Sequence, residues 1–239
     1  MKWSMVLALA ATLLFVSSTD AGLLDKARAY REKNKNAGSE LDTNTIIAGL
    51  KQALSVGAKN GIAAVSRVDG YFGDPMIKIP VPEKIRKIEK VLRKAGFHKE
   101  VDKFVLSMNR AAEKAAPQAR SFFIAAVKEM TIPDAVQILR GNDTAATDFL
   151  KSRTYDGIYG TFRPVVSSAM NDVGVTRSFK EMMAKAGTIP LLKRESVDLD
   201  HYVTSKALDG LFVVVGQEEK KIRKDPAARV TELLKTVFK

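Results

Sequence analysis

The sequence predicts an all-α fold: a single bundle of about nine or ten helices, broken once by a long apolar loop rich in glycine and proline. Three observations carry this reading. Apolar residues recur at three- and four-residue steps from Ile46 almost to the end of the chain. Capping residues and glycines punctuate those stripes at helix-length intervals. Nothing alternates strand-like and helix-like segments in the way a βαβ fold requires.

The elements follow in order. Ile46, Leu50, Leu54, Ala58, Ile62 and Val65 fall on one stripe, interrupted by Gly49, Gly57 and Gly61. Each glycine costs a helix roughly 1 kcal/mol against alanine, so three of them suggest close packing by a neighbour. Ser39 and Asp42 are spaced as a capping pair ahead of it. Arg67 to Pro82 holds Gly70, Gly73, Pro75, Pro80 and Pro82, which exclude a continuous helix. Ile77, Ile79 and Val81 alternate with Lys78 and Pro80, as in one short extended piece. A loop this long and apolar is either packed over the core or functional.

Helical stripes then resume. Ile85, Ile88, Leu92 and Ala95 end at Gly96; Val101, Phe104, Val105, Met108, Ala112 and Ala115 end before Pro117. Phe122, Phe123, Ala126, Val127 and Met130 form the next. Thr131 and Asp134 then cap a turn that closes at Gly141. Asn142 or Asp143 is expected to cap a short helix containing Phe149 and Leu150. A long stripe follows from Tyr155 to Val173, which Pro164 should kink or break. Thr176 is placed as the cap for Phe179, Met182 and Met183. Asp198 and Asp200 open a large helix carrying Tyr202, Val203, Leu208, Leu211, Phe212 and Val215. Asp225 and Pro226 restart a last one with Leu233, Leu234, Val237 and Phe238.

At the N-terminus, Lys2 precedes an unbroken apolar run from Met5 to Val16, followed by small and polar residues up to Ala21. A positive end, about a dozen apolar residues and a small residue at the cut form a secretory leader, shorter than the roughly 20 residues needed to span a bilayer. The expected organisation is a leader over 1–21, a polar arm over 22–42 and a helical domain over 43–239. The expected location is secreted or periplasmic. The chain has no cysteine, which excludes disulfides, thiol catalysis and cysteine zinc sites. Its formal net charge of +12 favours anionic partners such as a polyanion or an envelope surface. The densest basic group is Lys84, Arg86, Lys87, Lys90, Arg93 and Lys94, with no interleaved aromatics, so no specific nucleic-acid partner is indicated.

Several blocks in fixed order carry a family resemblance. They are Arg67-Val68-Asp69-Gly70-Tyr71-Phe72, Pro75 to Pro80, Asn109 to Pro117, Phe162-Arg163-Pro164, Asp198 to Thr204, Lys206 to Phe212, Glu218 to Arg223, and Pro226 to Arg229. From about Ile46 to Lys239 the chain resembles the uncharacterised domain-of-unknown-function 4197 family. The resemblance implies an exported helical protein and brings no activity and no catalytic residues.

The residues themselves offer little catalytic chemistry. The two histidines, His98 and His201, read as surface residues, and no metal or cofactor is expected. No serine sits in a Gly-x-Ser-x-Gly elbow. Asn142-Asp143-Thr144 matches a glycosylation acceptor, relevant only in a eukaryotic source. Polar residues on apolar stripes are more informative. Asn109 and Glu113 share a helix face beside Met108; Asp209 lies in an apolar helix; Arg163 adjoins Pro164. These four are expected to floor a cavity, with Tyr71, Phe72, Met76 and Ile77 of the loop as its lid and Phe212 on its wall. The leading functional reading is a non-enzymatic exported module holding a lipid or another apolar molecule. A second is an interaction protein docking on an anionic envelope or matrix partner. A third is an enzyme with carboxylates at Glu113 and Asp209.

Overall fold

Helix α1 spans Thr43–Ser66, α2 Arg86–Lys94, α3 His98–Ala115 and α4 Arg120–Glu129. After these come α5 over Ile132–Arg140, α6 over Ala145–Asp172, α7 over Val175–Ala186 and α8 over Leu199–Lys224. Short 3-10 turns cover Glu83–Ile85, Ala116–Ala119 and Pro226–Ala228. The computed structural model describes residues 43–189 and 196–229, with Thr231 and Lys235. The eight α-helices among them fall short of the nine or ten expected, and no strand occurs among these residues. The leader, the polar arm and the Ser39–Asp42 pair lie outside the described residues; the last helix expected from Asp225 and Pro226 starts as a 3-10 turn over Pro226–Ala228, and its Leu233, Leu234, Val237 and Phe238 lie outside them.

Two expectations for the middle of the chain are corrected. α6 runs unbroken for 28 residues with Thr144, not Asn142 or Asp143, in the N-cap position, where a short helix and a separate long one were expected. Pro164 is tolerated inside it because positions 160 and 164 are both exposed. The carbonyl left without a donor, that of Gly160, therefore faces solvent. α7 starts two residues early, with Gly174 at φ +74° in the capping position, so Thr176 sits inside the helix and does not cap it.

Elsewhere local chemistry sets the boundaries. Thr131 and Asp134 form a reciprocal capping box at the start of α5. Asp198 accepts from the His201 amide at the start of α8 (2.9 Å), and Lys221, Arg223 and Lys224 occupy its last turn, matching the helix dipole at both ends. Gly96 closes the α2–α3 corner at φ +87°.

α8 is the axis of packing. It lies along α1 on one side and α6 on the other, while α3 packs on α6 and α7. α1 comes close because Gly57 and Gly61 face Glu218, Glu219 and Val215 of α8. The alanines 111, 112, 115, 116 and 119 are fully buried, letting α3 and the following turn approach their neighbours. One continuous apolar core results, from Leu50 of α1 to Val215 of α8.

Two checks follow. Gly210 meets Tyr71 Cε1 at 2.8 Å and Ile77 Cβ at 3.1 Å from an added Cβ, whereas Gly157 meets nothing within 4 Å. Gly210→Ala should therefore lower unfolding stability by about 1–3 kcal/mol, while Gly157→Ala raises it by about 0.5–1 kcal/mol in urea titrations. The Asp134 carboxyl is held below the usual aspartate range, first by the Thr131 hydroxyl and then by the Thr131 amide. A depressed folded value means stability that is present above the ordinary aspartate pKa and lost as pH falls through the lower folded one. Asp134→Asn should thus flatten part of the stability loss seen below about pH 4 in acid titrations.

Candidate functional site

The segment from Arg67 to Pro82 contains no helix or strand, yet Tyr71, Ile77, Ile79 and Val81 are all buried. Turns within it pair several of its amides, and side chains of α3 take the amides of Tyr71, Phe72 and Ile79. The Asn109 Oδ1 accepts from the Ile79 amide (2.8 Å), and its Nδ2 donates to the Ile79 carbonyl (2.9 Å) and to the Val105 carbonyl (2.8 Å). One side chain of α3 thus pairs both groups of the Ile79 residue, as a neighbouring strand would. One turn on, Glu113 Oε1 accepts from the Tyr71 amide (3.1 Å) and the Phe72 amide (3.2 Å). Its Oε2 is taken by Arg110 (2.6 Å), whose other nitrogen reaches Asp69 (2.7 Å). Asp69 has φ +63°, a conformation aspartate tolerates better than most residues.

α8 holds the same segment from the other side. The Tyr71 hydroxyl donates to the Ala207 carbonyl (2.6 Å) and the Tyr202 hydroxyl to the Pro80 carbonyl (3.0 Å). Burial first, then the neighbouring Glu113 carboxylate, push the Tyr71 hydroxyl well above the usual tyrosine range. Burial likewise raises Tyr202 to about 12, with Glu83 adding and Arg86 opposing. Both phenols stay protonated as donors at any physiological pH.

The ten residues singled out from the sequence therefore do not converge on one cavity. Tyr71, Ile77, Met108, Asn109, Glu113 and Phe212 are buried in the core or its clamp. Phe212 is occupied by Phe123 and Tyr155, with ring centroids at 5.4 and 6.1 Å. Phe72 is half-buried beneath Lys78, 3.8 Å from its ring. Met76 is 70% exposed and meets Gln217. Arg163 pairs with Asp198 at 3.0 Å and Asp209 with Lys151 at 3.1 Å, both at the surface. The expected lid is a packed part of the core, and the expected polar floor shrinks to Asn109 and Glu113.

A second clamp went unread in the sequence. Glu219 accepts from the Ala146 amide (3.0 Å), the Thr147 amide (2.8 Å) and the Thr147 hydroxyl (2.7 Å), at the start of α6. Arg223 pairs with Glu219 (2.8 Å) and donates to the Ile138 carbonyl (3.0 Å), at the end of α5. The pair thus places its anion at one helix's N-terminus and its cation at another's C-terminus. The signal was present as Glu219 and Arg223 four residues apart, within what reads as a solvated charged run.

Space for a ligand lies at the surface. The enclosed void between α1 and α8, lined by Leu50, Leu54, Val215 and Ile222, is about 10 Å³, barely enough for one water. An open groove of about 210 Å³ runs between α1 and α4. Val56, Ala58, Ile62, Phe123, Ile124 and Val127 line it, with Lys59 and Arg120. Ile124 is 41% exposed there. A recess of about 430 Å³ beside Val68 is rimmed by Lys103, Arg110 and Lys114. Each of these pairs with a carboxylate, respectively Glu181, Asp69 with Glu113, and Asp172. Another of about 270 Å³, holding Met76, Asp209 and Phe212, mixes Asp148 with Lys151 and Lys220. No group of three or more metal-ligating side chains occurs among the described residues.

This is an all-helical domain whose buried polar side chains serve an irregular segment and a helix junction, with its open apolar surface elsewhere. The chain belongs to the family described as proteins of unknown function (DUF4197), whose model matches residues 40–239. No curated protein and no solved structure matches it.

If the segment is core and not lid, its clamped amides should be protected. In hydrogen–deuterium exchange the amides of Tyr71, Phe72 and Ile79 are expected to exchange as slowly as those of the middle of α3. Asn109→Ala, which leaves both groups of Ile79 buried and unpaired, should lower stability by about 2–4 kcal/mol. Fast exchange at Ile79 in the native protein would show a segment that opens freely.

Proposed function

We propose that the domain is an exported, non-enzymatic binding module that takes an apolar ligand in the groove between α1 and α4. The observation that carries this reading is the groove's lining: six apolar side chains, among them the outward-facing Ile124. At about 210 Å³ it is smaller than the ~300–1,000 Å³ usual for compact ligands, so it suits a stretch of thin aliphatic chain lying lengthwise. The leader ending at Ala21 supports export, and no helix among the described residues is long and apolar enough to cross a membrane.

The filled interior supports a surface site over one enclosed by the bundle. It also weakens the enzymatic reading. The oxygens of Glu113 are engaged by two amides and Arg110, while Asp209 pairs with Lys151 on the surface. The two share no partner and cannot act together as acid and base.

Docking on an anionic surface is the second reading. It is favoured by Lys84, Lys87, Lys90 and Lys94, which lie on or beside α2 without a carboxylate partner among the described residues. Binding of this kind would weaken steeply with salt.

The groove reading is tested with Nile red, a neutral apolar dye. Its fluorescence should rise on binding to the full chain, and Ile124→Glu should weaken binding about tenfold or more without changing the circular dichroism. Absence of any dye binding, together with an apo mass in native mass spectrometry of freshly purified protein, would remove the groove as a ligand site.

A further inference from the structure

Resting on that reading, we infer that the groove's ligand is a single-chain amphiphile with an anionic head, the head being met by Lys59 and Arg120. The periodicity of the two walls leads to this. On α1, Val56, Lys59 and Ile62 are three residues apart and share a face. On α4, Arg120, Phe123, Ile124 and Val127 share another. Each wall therefore carries one cation in register with its apolar residues.

The two cations also lie at the same end. Lys51 Nζ donates to the Lys128 carbonyl (2.9 Å), joining an earlier turn of α1 to the last turn of α4. Lys59 is eight residues further along α1, and Arg120 is eight residues back along α4. Both steps rise about 12 Å along the helix. With both residues lining one groove, the helices run antiparallel and Lys59 stands level with Arg120. An aliphatic chain laid from that end toward Lys51 covers Val56, Phe123, Ile124 and Val127 and leaves its head between two positive groups.

What sets this groove apart is that its charge is unanswered. Neither Lys59 nor Arg120 has a carboxylate partner among the described residues, whereas the three cations around the larger recess beside Val68 are each neutralised by the protein itself. Two unpaired cations on an apolar slot oppose a cationic amphiphile and give a neutral one nothing to hold its head. An anion supplies the missing charge and hydrogen-bond acceptors. A fatty carboxylate and an alkyl phosphate share this chemistry, and a bilayer of anionic lipids presents it as a surface.

The test uses the full chain and ten-carbon ligands below their micelle concentrations: decanoate, decyl phosphate, decanol and decylamine, followed by calorimetry. Decanoate or decyl phosphate should bind about tenfold tighter than decanol, with the advantage shrinking in about 0.5 M salt. Whichever of the two binds tighter identifies the head. The double variant Lys59→Glu, Arg120→Glu alters exposed positions only. It should remove the anion's advantage while leaving decanol binding and the thermal transition unchanged. If decanol binds as tightly as decanoate, or the double variant keeps the preference, the head-group inference is overturned and the apolar groove stands. If none of the four binds, the groove reading itself fails. Binding to anionic vesicles without binding to monomeric decanoate or decyl phosphate would also overturn the inference, and would favour a membrane surface as the partner.

Discussion

Sixteen residues without helix or strand, Arg67 to Pro82, are built into the core of a helical protein, and this constraint organises much of what surrounds them. Backbone amides and carbonyls that leave water must find partners, and the turns within the segment pair Gly70, Gly73, Asp74, Ile77 and Lys78 but leave the amides of Tyr71, Phe72 and Ile79 to side chains. Asn109 and Glu113 sit one turn apart on α3 so that one serves Ile79 and the other Tyr71 and Phe72. Arg110 lies between them in sequence and balances the Glu113 charge at the rim, keeping a buried carboxylate from being left unpaired. Two phenols fasten its other side, Tyr71 of the segment to α8 and Tyr202 of α8 back to Pro80, so it is held by both α3 and α8.

The same logic recurs where α5 gives way to α6. Helix ends expose backbone groups, and this junction is overlaid by α8, so water cannot serve all of them. Glu219 and Arg223 reach across from α8 and take both ends at once. α8 therefore does three things along one length: it accepts the segment at Gly210, meets α1 at Val215 opposite Gly61, and seals the α5–α6 junction with Glu219. The first two depend on glycine allowing backbones to approach where any side chain would collide.

How much of this could be read beforehand depends on whether the cause is local. The α1 stripe, the Thr131–Asp134 box, the Asp198 cap and the Gly96 corner are each decided within a turn or two of chain, and all were legible. Asn109 and Glu113 stood out as polar residues on an apolar stripe, but their partners lie 30 to 42 positions away, and nothing local distinguishes a floor for a ligand from a seat for a loop. Arg163 and Asp209 looked similar and proved to be rim residues, because a stripe's edge and its centre differ by only one position. α6 was misjudged since proline is ruinous only where its orphaned carbonyl is buried, and exposure of that face is a tertiary fact. The Lys59–Arg120 groove was invisible, as it arises from two helices 60 residues apart whose antiparallel docking no single-helix pattern encodes.

A protein with buried polar groups invites the thought that they are its business end. Here Asn109, Glu113 and Glu219 are already engaged, and a saturated hydrogen-bonding group has nothing left to offer a substrate. At the surface, an exposed isoleucine over an apolar slot and cations with no carboxylate beside them are without intramolecular partners. Folding alone gives no reason to keep both in one groove. An exposed isoleucine gains nothing from its own fold, and a nearby pair of like charges slightly opposes it. Recognition of something that is at once oily and negative accounts for both features together, and it leaves the rigid, filled interior its own task of holding α1 and α4 at a fixed spacing.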